Sequence, residues 1–352
     1  MQSQHPEFST KANIDRVYDQ TTRDLAFTAT DAADWRTWRD QLRAKLVDLL
    51  GGFPPDPGPL DPVVLDQVDT GEYVRERIAF TTEPGLRVPA YLLRPYTSSA
   101  TSPGPAVLCL HGHGRGKDDV AGVVQSSKER QYKVRSLNYD YAHQLAQRGY
   151  TVLAPDARGF GELALDGMTC TWGMTASLLL GRTLVGSRVW DTVRAVDLLS
   201  SLPEVDADRI GCVGLSWGGT HTMYAAALDP RIQVAVISGA FGTFKDALID
   251  GPECPCQYVP GLLRHAELPD IVALIAPRPL LIENGDDDPH YTRETVGPAF
   301  AAVQRAYTVA GAPDCVTLDI FPGNHRFHGV HALPWLDRWL RATAAPIQPA
   351  GA

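Results

Sequence analysis

Apolar side chains recur at three- and four-residue spacing through Trp35, Trp38, Leu42, Leu46 and Leu49. That spacing predicts an amphipathic helix, capped by Asp31 or Asp34 and stopped at Gly51-Gly52 before the proline-rich stretch Phe53 to Pro59. Residues 1–60 thus read as a helical extension that lays an apolar stripe on a larger body, residues 61–345. The period then changes. The run Tyr73 to Thr81 alternates through Val74, Arg75, Glu76, Arg77 and Ile78, and is flanked by the runs Val63 to Val68 and Arg87 to Arg94. With Glu83-Pro-Gly-Leu86 as a hairpin turn, these three runs are expected as antiparallel edge strands.

From Ala106 onward short apolar runs alternate with helical patterns, the signature of βαβ units and a mainly parallel sheet. The expected strands are Ala106 to Leu110, Thr151 to Ala154, Arg209 to Leu215, Val234 to Ser238, Pro279 to Glu283 and Val316 to Phe321. The expected helices are Asn138 to Arg148, Arg188 to Leu202, Trp217 to Leu228, Arg293 to Val309 and Val330 to Arg341. Open parallel sheets gather their functional residues at the carboxyl ends of strands, so those ends matter most.

Composition narrows the function. The chain has 352 residues, 44% hydrophobic and 21% charged, which suits one large α/β domain with additions. A formal net charge of -9 and the lack of any basic run argue against nucleic acid or an anionic membrane as the main partner. Met1 to Phe8 has neither the basic nor the apolar region of a secretory signal, and no apolar run is long enough to span a bilayer. A cytoplasmic protein is the expectation, with a trimmed signal left open, as is homo-oligomerisation. Of six cysteines, Cys109 and Cys212 fall in apolar strands, where a thiol behaves as a small hydrophobe. Cys254-Pro-Cys256 is the only close pair; without a second pair it is a weak metal signal and reads as a structural loop.

The strand Arg209 to Leu215 runs into Gly214-Leu-Ser216-Trp-Gly218, a G-x-S-x-G turn followed by a helix rich in glycine and alanine. In such an elbow the strained turn lifts the serine Oγ clear of the sheet, and the helix N-terminus points positive charge at a developing oxyanion. The first parallel strand ends in His111-Gly-His-Gly114, where the main-chain N–H of His113 would join that of Trp217 in an oxyanion hole. His111 and His113 also form H-x-H, but no ligand cluster follows in the sequence, so no metal is assigned. The next strand ends in Asp156 to Glu162, where Arg158 and Glu162 serve equally well as pocket residues or as loop ties. Asp286-Asp-Asp288 follows another strand, and His325 and His328 follow the last; chain order is then Ser, Asp, His. Residues alone leave open which aspartate and which histidine take part.

The sequence resembles α/β-hydrolases of the dienelactone-hydrolase-like and acetyl xylan esterase-like kind, in the bacterial branch with an N-terminal helical extension. The resemblance is carried by His111-Gly-His-Gly, Tyr141 to Tyr150, Asp156-Ala-Arg-Gly-Phe-Gly-Glu162, Gly181-Arg-Thr-Leu, Arg188-Val-Trp-Asp191, Gly214-Leu-Ser-Trp-Gly-Gly, Ala276-Pro-Arg-Pro-Leu-Leu-Ile282 and Gly323-Asn-His-Arg-Phe-His-Gly. It implies an α/β-hydrolase fold: a mainly parallel central sheet with antiparallel N-terminal edge strands and helices on both faces. It implies Ser216 as nucleophile, His325 as base and Asp288, at the end of Gly-x-x-Asp before Pro289, as the orienting acid, with no cofactor. The chain departs from the sugar-deacetylating branch, which places Gln after the serine and an Arg-Gly-Gln loop, where this chain has Trp217 and Arg158-Gly-Phe160.

The expected activity is therefore hydrolysis of a small-molecule carboxylic ester. A peptidase or a carbon–carbon bond hydrolase would use the same triad, and a binding protein on the same fold would keep the scaffold without the chemistry. Three long segments, Gly116 to Leu137, Phe160 to Ser187 and Phe241 to Leu268, are expected to wall the pocket. Trp172, Phe241 and Tyr258 are the aromatic candidates within them.

Overall fold

The computed structural model describes residues 8–164, 167, 169–251 and 253–341. Two helices open the chain, α1 (Thr10–Gln20) and α2 (Ala32–Leu49). Asp31 caps α2 by accepting from the N–H groups of Ala33 and Asp34, and Trp35, Trp38, Leu42 and Leu46 form its buried stripe. Helix α1 was not legible in the apolar pattern because it buries nothing. Polar contacts hold it instead: Tyr18 Oη donates to Glu267 at 2.8 Å, and Lys245 pairs with Asp15 at 3.1 Å.

Among the described residues the strands β1 (Val63–Asp69), β2 (Tyr73–Glu83), β3 (Leu86–Pro95), β4 (Gly104–Leu110), β5 (Thr151–Pro155), β6 (Val205–Leu215), β7 (Ile232–Ser238), β8 (Leu280–Gly285) and β9 (Val316–Phe321) form one sheet. Its order is β1-β2-β3-β5-β4-β6-β7-β8-β9. The pairings from β1 to β5 are antiparallel, and those from β5 through β4 to β9 are parallel. Strand β1 is exposed along its whole length, as befits an edge, whereas β4 and β5 are buried over the stretch that faces helices on both sides. The register pairs Leu110 with Gly214, Leu215 with Ser238, Ser238 with Glu283, and Gly285 with Phe321. The loops after β4, β6, β8 and β9 therefore leave the sheet at one edge.

The remaining longer helices are α3 (Tyr141–Gln147), α4 (Cys170–Leu179), α5 (Leu184–Ser201), α6 (Trp217–Leu228), α7 (Leu268–Ala273), α8 (Arg293–Val309) and α9 (Ala332–Arg341). Helix α3 starts three residues later than the spacing predicts, because Asn138 turns into positive φ at 51°. Helix α5 starts earlier, where Thr183 accepts from the N–H of Gly186. The core has two main parts. One joins the stripe of α2 to Val185, Val189 and Val196 of α5, to Met223 and Tyr224 of α6 and to Ile271 and Val272 of α7. The other joins Tyr141 and Leu145 of α3 to Leu336 and Leu340 of α9.

Arg158 and Glu162 are loop ties. Arg158 forks onto both oxygens of Asp191 at 2.7 Å each and reaches Glu83 at 2.7 Å, while Arg182 grips the same Glu83 at 2.8 and 3.0 Å. This network fastens the β2–β3 turn to α5. Glu162 accepts from Lys117 at 2.7 Å and from Arg77 at 3.0 Å, and Lys117 also bonds Asp156 at 2.7 Å. Both side chains are consumed by fixed charges, which removes them from the pocket assignment that their position at a strand end suggested.

Leu42 is fully buried between α2 and the sheet-facing helices. Leu42→Ala should lower the unfolding free energy by about 2–5 kcal/mol in a denaturant titration, and a loss under about 1 kcal/mol would mean that α2 is not part of the core. The Glu83 network adds an acid-side dependence. Hydrogen bonds from Arg182 take its carboxyl down to about 2 against the opposing effect of burial, with Arg158 adding to the shift. A depressed folded value makes the contribution complete above the unfolded value of about 4.3 and lost as pH falls toward about 2. Unfolding of Glu83→Gln should be less pH-sensitive than wild type across that window, and equal slopes would show the network to be neutral.

Candidate active site

Strand β6 delivers Ser216 to the edge where the parallel strands end. The residue has φ 60° and ψ -128°, a conformation that costs energy for any side chain with a Cβ. Two glycines make the turn physically feasible. A Cβ on Gly214 would come within 2.2 Å of the Gly218 oxygen, and one on Gly218 within 2.0 Å of the Leu110 oxygen. The N–H of Ser216 donates to the Ser238 oxygen at 2.8 Å, fastening the elbow to β7.

The loop after β4 curls beside this elbow. His111 accepts at Nε2 from the N–H of Ala157 at 3.0 Å, which leaves Nδ1–H to donate to the Gly112 oxygen at 2.7 Å. Burial pushes its pKa down and keeps it neutral. Both ring nitrogens are thereby used, so His111 has no lone pair left for a metal. Gly112 N–H donates to the buried Tyr139 Oη at 2.7 Å. Among the described residues the main-chain N–H groups of His113 and Trp217 make no hydrogen bond, and Trp217 is the first residue of α6. Trp217 thus offers an unpaired donor at the helix N-terminus, and His113 offers a second from the loop after β4.

The acid and base loops follow β8 and β9. His325 Nδ1 lies 2.8 Å from Asp288 Oδ2, whose other oxygen accepts from the N–H of His290 at 2.9 Å. Asp288 is buried while Asp286 and Asp287 are exposed, so geometry picks one aspartate of three. Asp286 ties the two loops together by accepting from Gly323 N–H at 2.9 Å. His325 Nε2 is buried without a hydrogen-bond partner. His328 is engaged elsewhere, with Nδ1 at 2.7 Å from Asp319 and its ring stacked on Phe321.

Ser216 and His325 line one cavity of about 670 Å³, with His113, Tyr132, Lys133, Ser136, Leu137, Tyr139, Leu215, Glu253, Cys254, Pro289, His290 and Asn324. None of the five pocket candidates from the sequence is on that wall. Besides Arg158 and Glu162, Phe241 is buried in the core, Trp172 is exposed on α4, and Tyr258 is spent on the Leu248 carbonyl. The segments 116–137 and 241–268 do contribute walls, whereas the described residues of 160–187 do not. Aromatic content misled the assignment in two ways, since Phe241 is core while Trp172 and Tyr258 are exposed away from the cavity wall.

The sequence also hid a polar pair at the rim. His290 Nδ1 lies 2.8 Å from Glu253, and its ring centroid is 4.6 Å from that of His325. Hydrogen bonding to Glu253 raises the His290 pKa despite burial. His290 stands two residues after Asp288, which was a usable signal; Glu253 and Lys133 belong to no motif. The buried Glu283, whose pKa burial pushes up, accepts from Ser238 Oγ at 2.7 Å and from the N–H groups of His328 and Gly329 at 2.8 and 3.1 Å. It anchors the base loop to the sheet.

Comparison with known proteins places the chain. The Abhydrolase family model matches residues 2–338. YtaP of Bacillus subtilis, which bears the name of a hydrolase, is 30% identical over 313 residues, 86% of this chain and all of that one. Among solved structures, one from Bacteroides fragilis named as an acetyl xylan esterase superposes with a TM-score of 0.80 at 20% identity, covering 96% of both chains. A glucuronoyl esterase from Solibacter usitatus superposes with a TM-score of 0.70 at 17% identity, covering 93% of this chain and all of that one. At such identities the structural likeness speaks for the fold, and the sequence matches speak for the family: the chain belongs to the Abhydrolase family and has the α/β-hydrolase fold.

Proposed function

We propose that this protein is a serine esterase that hydrolyses a carboxylic ester through Ser216, His325 and Asp288. The observation that carries the reading is the 2.8 Å contact of Asp288 with His325 Nδ1, which leaves the unpartnered Nε2 on the cavity that Ser216 lines. In the first half-reaction His325 Nε2 takes the Ser216 proton as Oγ attacks the ester carbonyl, and the N–H groups of Trp217 and His113 bind the oxyanion. His325 returns the proton to the leaving alkoxide. Water then attacks the acyl-enzyme with the same base, releasing the acid. Asp288 holds the tautomer and stabilises the imidazolium throughout.

Tyr132, Lys133, Glu253, His290 and Asn324 on the cavity wall supply hydrogen-bonding groups that suit a polar, hydroxylated substrate. Named carbohydrate esterases among the structural neighbours support the same direction. A panel of acetyl and methyl esters of sugars beside long-chain nitrophenyl esters tests the preference, and faster cleavage of the long chains would reverse it. Faster cleavage of a dipeptidyl nitroanilide than of any ester would instead favour a peptidase.

Ser216→Ala should fold as wild type and lose nearly all turnover, and a fluorophosphonate should label wild type once and this variant not at all. Retained turnover in Ser216→Ala would end the reading. Asp288→Asn should cut kcat by about 10⁴, because the amide favours the wrong imidazole tautomer. The same change at Asp286 or Asp287 should do far less, and His325→Ala should cost several orders of magnitude more than His328→Ala. The opposite ranking in steady-state kinetics would move the acid or the base within its loop.

A further inference from the structure

Four side chains from three distant segments converge beside the elbow. His113 comes from the loop after β4, Cys170 is the first residue of α4, and Cys254 and Cys256 flank Pro255 in a short turn. One ligand-type atom from each, the imidazole nitrogen and three sulfurs, lies within 4.8 Å of every other, and His113 Nε2 is 4.0 Å from Cys170 Sγ. All six cysteines of the chain are free thiols. Around a zinc ion with bonds of about 2.3 Å to sulfur, tetrahedral ligand atoms sit about 3.8 Å apart, so the four need to close by less than about 1 Å.

We propose that His113, Cys170, Cys254 and Cys256 form a Cys₃His site for a zinc-type divalent cation. Soft thiolates with one imidazole select zinc over magnesium or calcium. Four protein ligands close the shell and leave no position for water, so the ion is a clamp and not a source of hydroxide. Binding takes the protons off three thiols and leaves a complex of net charge -1. The surroundings are built for that charge. Arg188 is fully buried, and among the described residues no carboxylate pairs with it. Its guanidinium donates to the Arg158 carbonyl and to Cys170 Sγ, the latter at 3.5 Å, and its Nη1 has no partner. An uncompensated buried guanidinium is costly, and a thiolate cluster at this distance supplies the missing counter-charge. The turn carrying Cys254 and Cys256 is itself held in place, since Gln257 accepts from Thr220 at 2.8 Å and donates to Glu253 at 2.6 Å. Such outer contacts orient metal ligands. His113 and Cys254 also line the cavity, which gives the ion a route in.

This inference stands apart from the esterase reading, because Ser216→Ala should bind the ion as wild type does. The test is elemental analysis of the full chain purified in reductant without a metal-binding tag, followed by reconstitution of the stripped protein with Co(II). One zinc per chain is expected, with Co(II) giving thiolate charge-transfer bands in the near ultraviolet and strong tetrahedral d–d bands in the visible. Cys170→Ser and Cys256→Ser should weaken uptake, and Cys315→Ser, outside the cluster, should not. The wild-type spectrum decides even if a variant fails to fold. Failure of the reduced wild type to take up zinc or cobalt, a weak octahedral spectrum, or unchanged uptake by both cluster variants would overturn the site, as would a disulfide among these cysteines that persists in reductant.

Discussion

At Ser216 the chain must leave a strand in positive φ and start a helix within one residue, with three backbones in van der Waals contact. Strain of this kind persists only where the surroundings over-determine it. Here α6 is held at its far end by arginines on its last carbonyls: Arg43 donates to Ala227 at 2.9 Å, and Arg278 to Ala226. Cations at a helix C-terminus also suit its dipole. At the near end Tyr141 Oη donates to the Leu110 carbonyl, joining α3 to the strand that the elbow touches. The N-terminal helix α2 thereby bears on the active site through Arg43, some distance from any chemistry.

The acid and base loops have a different foundation. Both hang on β8 and β9, and most ties between them use main-chain groups: the N–H groups of Asp286 and Asp287 donate to the Phe321 and Gly323 carbonyls, Gly323 N–H donates to the Asp286 carboxylate, and His328 and Gly329 N–H donate to Glu283. Main-chain donors fix a loop whatever its side chains do, which frees Asp288 and His325 to meet each other. Glu283 is fully buried, and its three donors satisfy the carboxyl oxygens although burial still pushes its pKa up.

Periodicity exposed what depends on period. The parallel strands, the stripe of α2 and the elbow appear at or near their expected positions, because burial on both faces or on one stripe writes itself into spacing. Residues whose role depends on contacts far along the chain were not legible. Arg158 meets Glu83 and Asp191, 75 and 33 positions away, and no local pattern announces either partner. The individual wall residues were missed for the same reason: Lys133, Glu253 and His290 come from three separate segments without a shared motif. Helix α4 escaped because its apolar residues do not form a buried stripe; Trp172, Leu178 and Leu179 are exposed.

Trp217 gains a physical explanation from this packing. It follows the proposed nucleophile where the sugar-deacetylating branch carries glutamine. Its indole is fully buried, with the Arg188 guanidinium 3.9 Å above the ring, the His221 ring at 3.7 Å and Phe160 at 5.3 Å. Burial and the neighbouring Arg188 push the His221 pKa well down, so Arg188 is the cation that the aromatic face serves. A cation over indole in a water-excluded site is worth on the order of 2 kcal/mol, less than the cost of burying an unpaired guanidinium. The ring alone cannot hold Arg188 there. In the proposed zinc site the Cys170 thiolate, 3.5 Å from the guanidinium, supplies what the indole lacks, so tryptophan at the elbow and cysteine at the start of α4 belong to one electrostatic arrangement, which glutamine at position 217 would leave without its aromatic half.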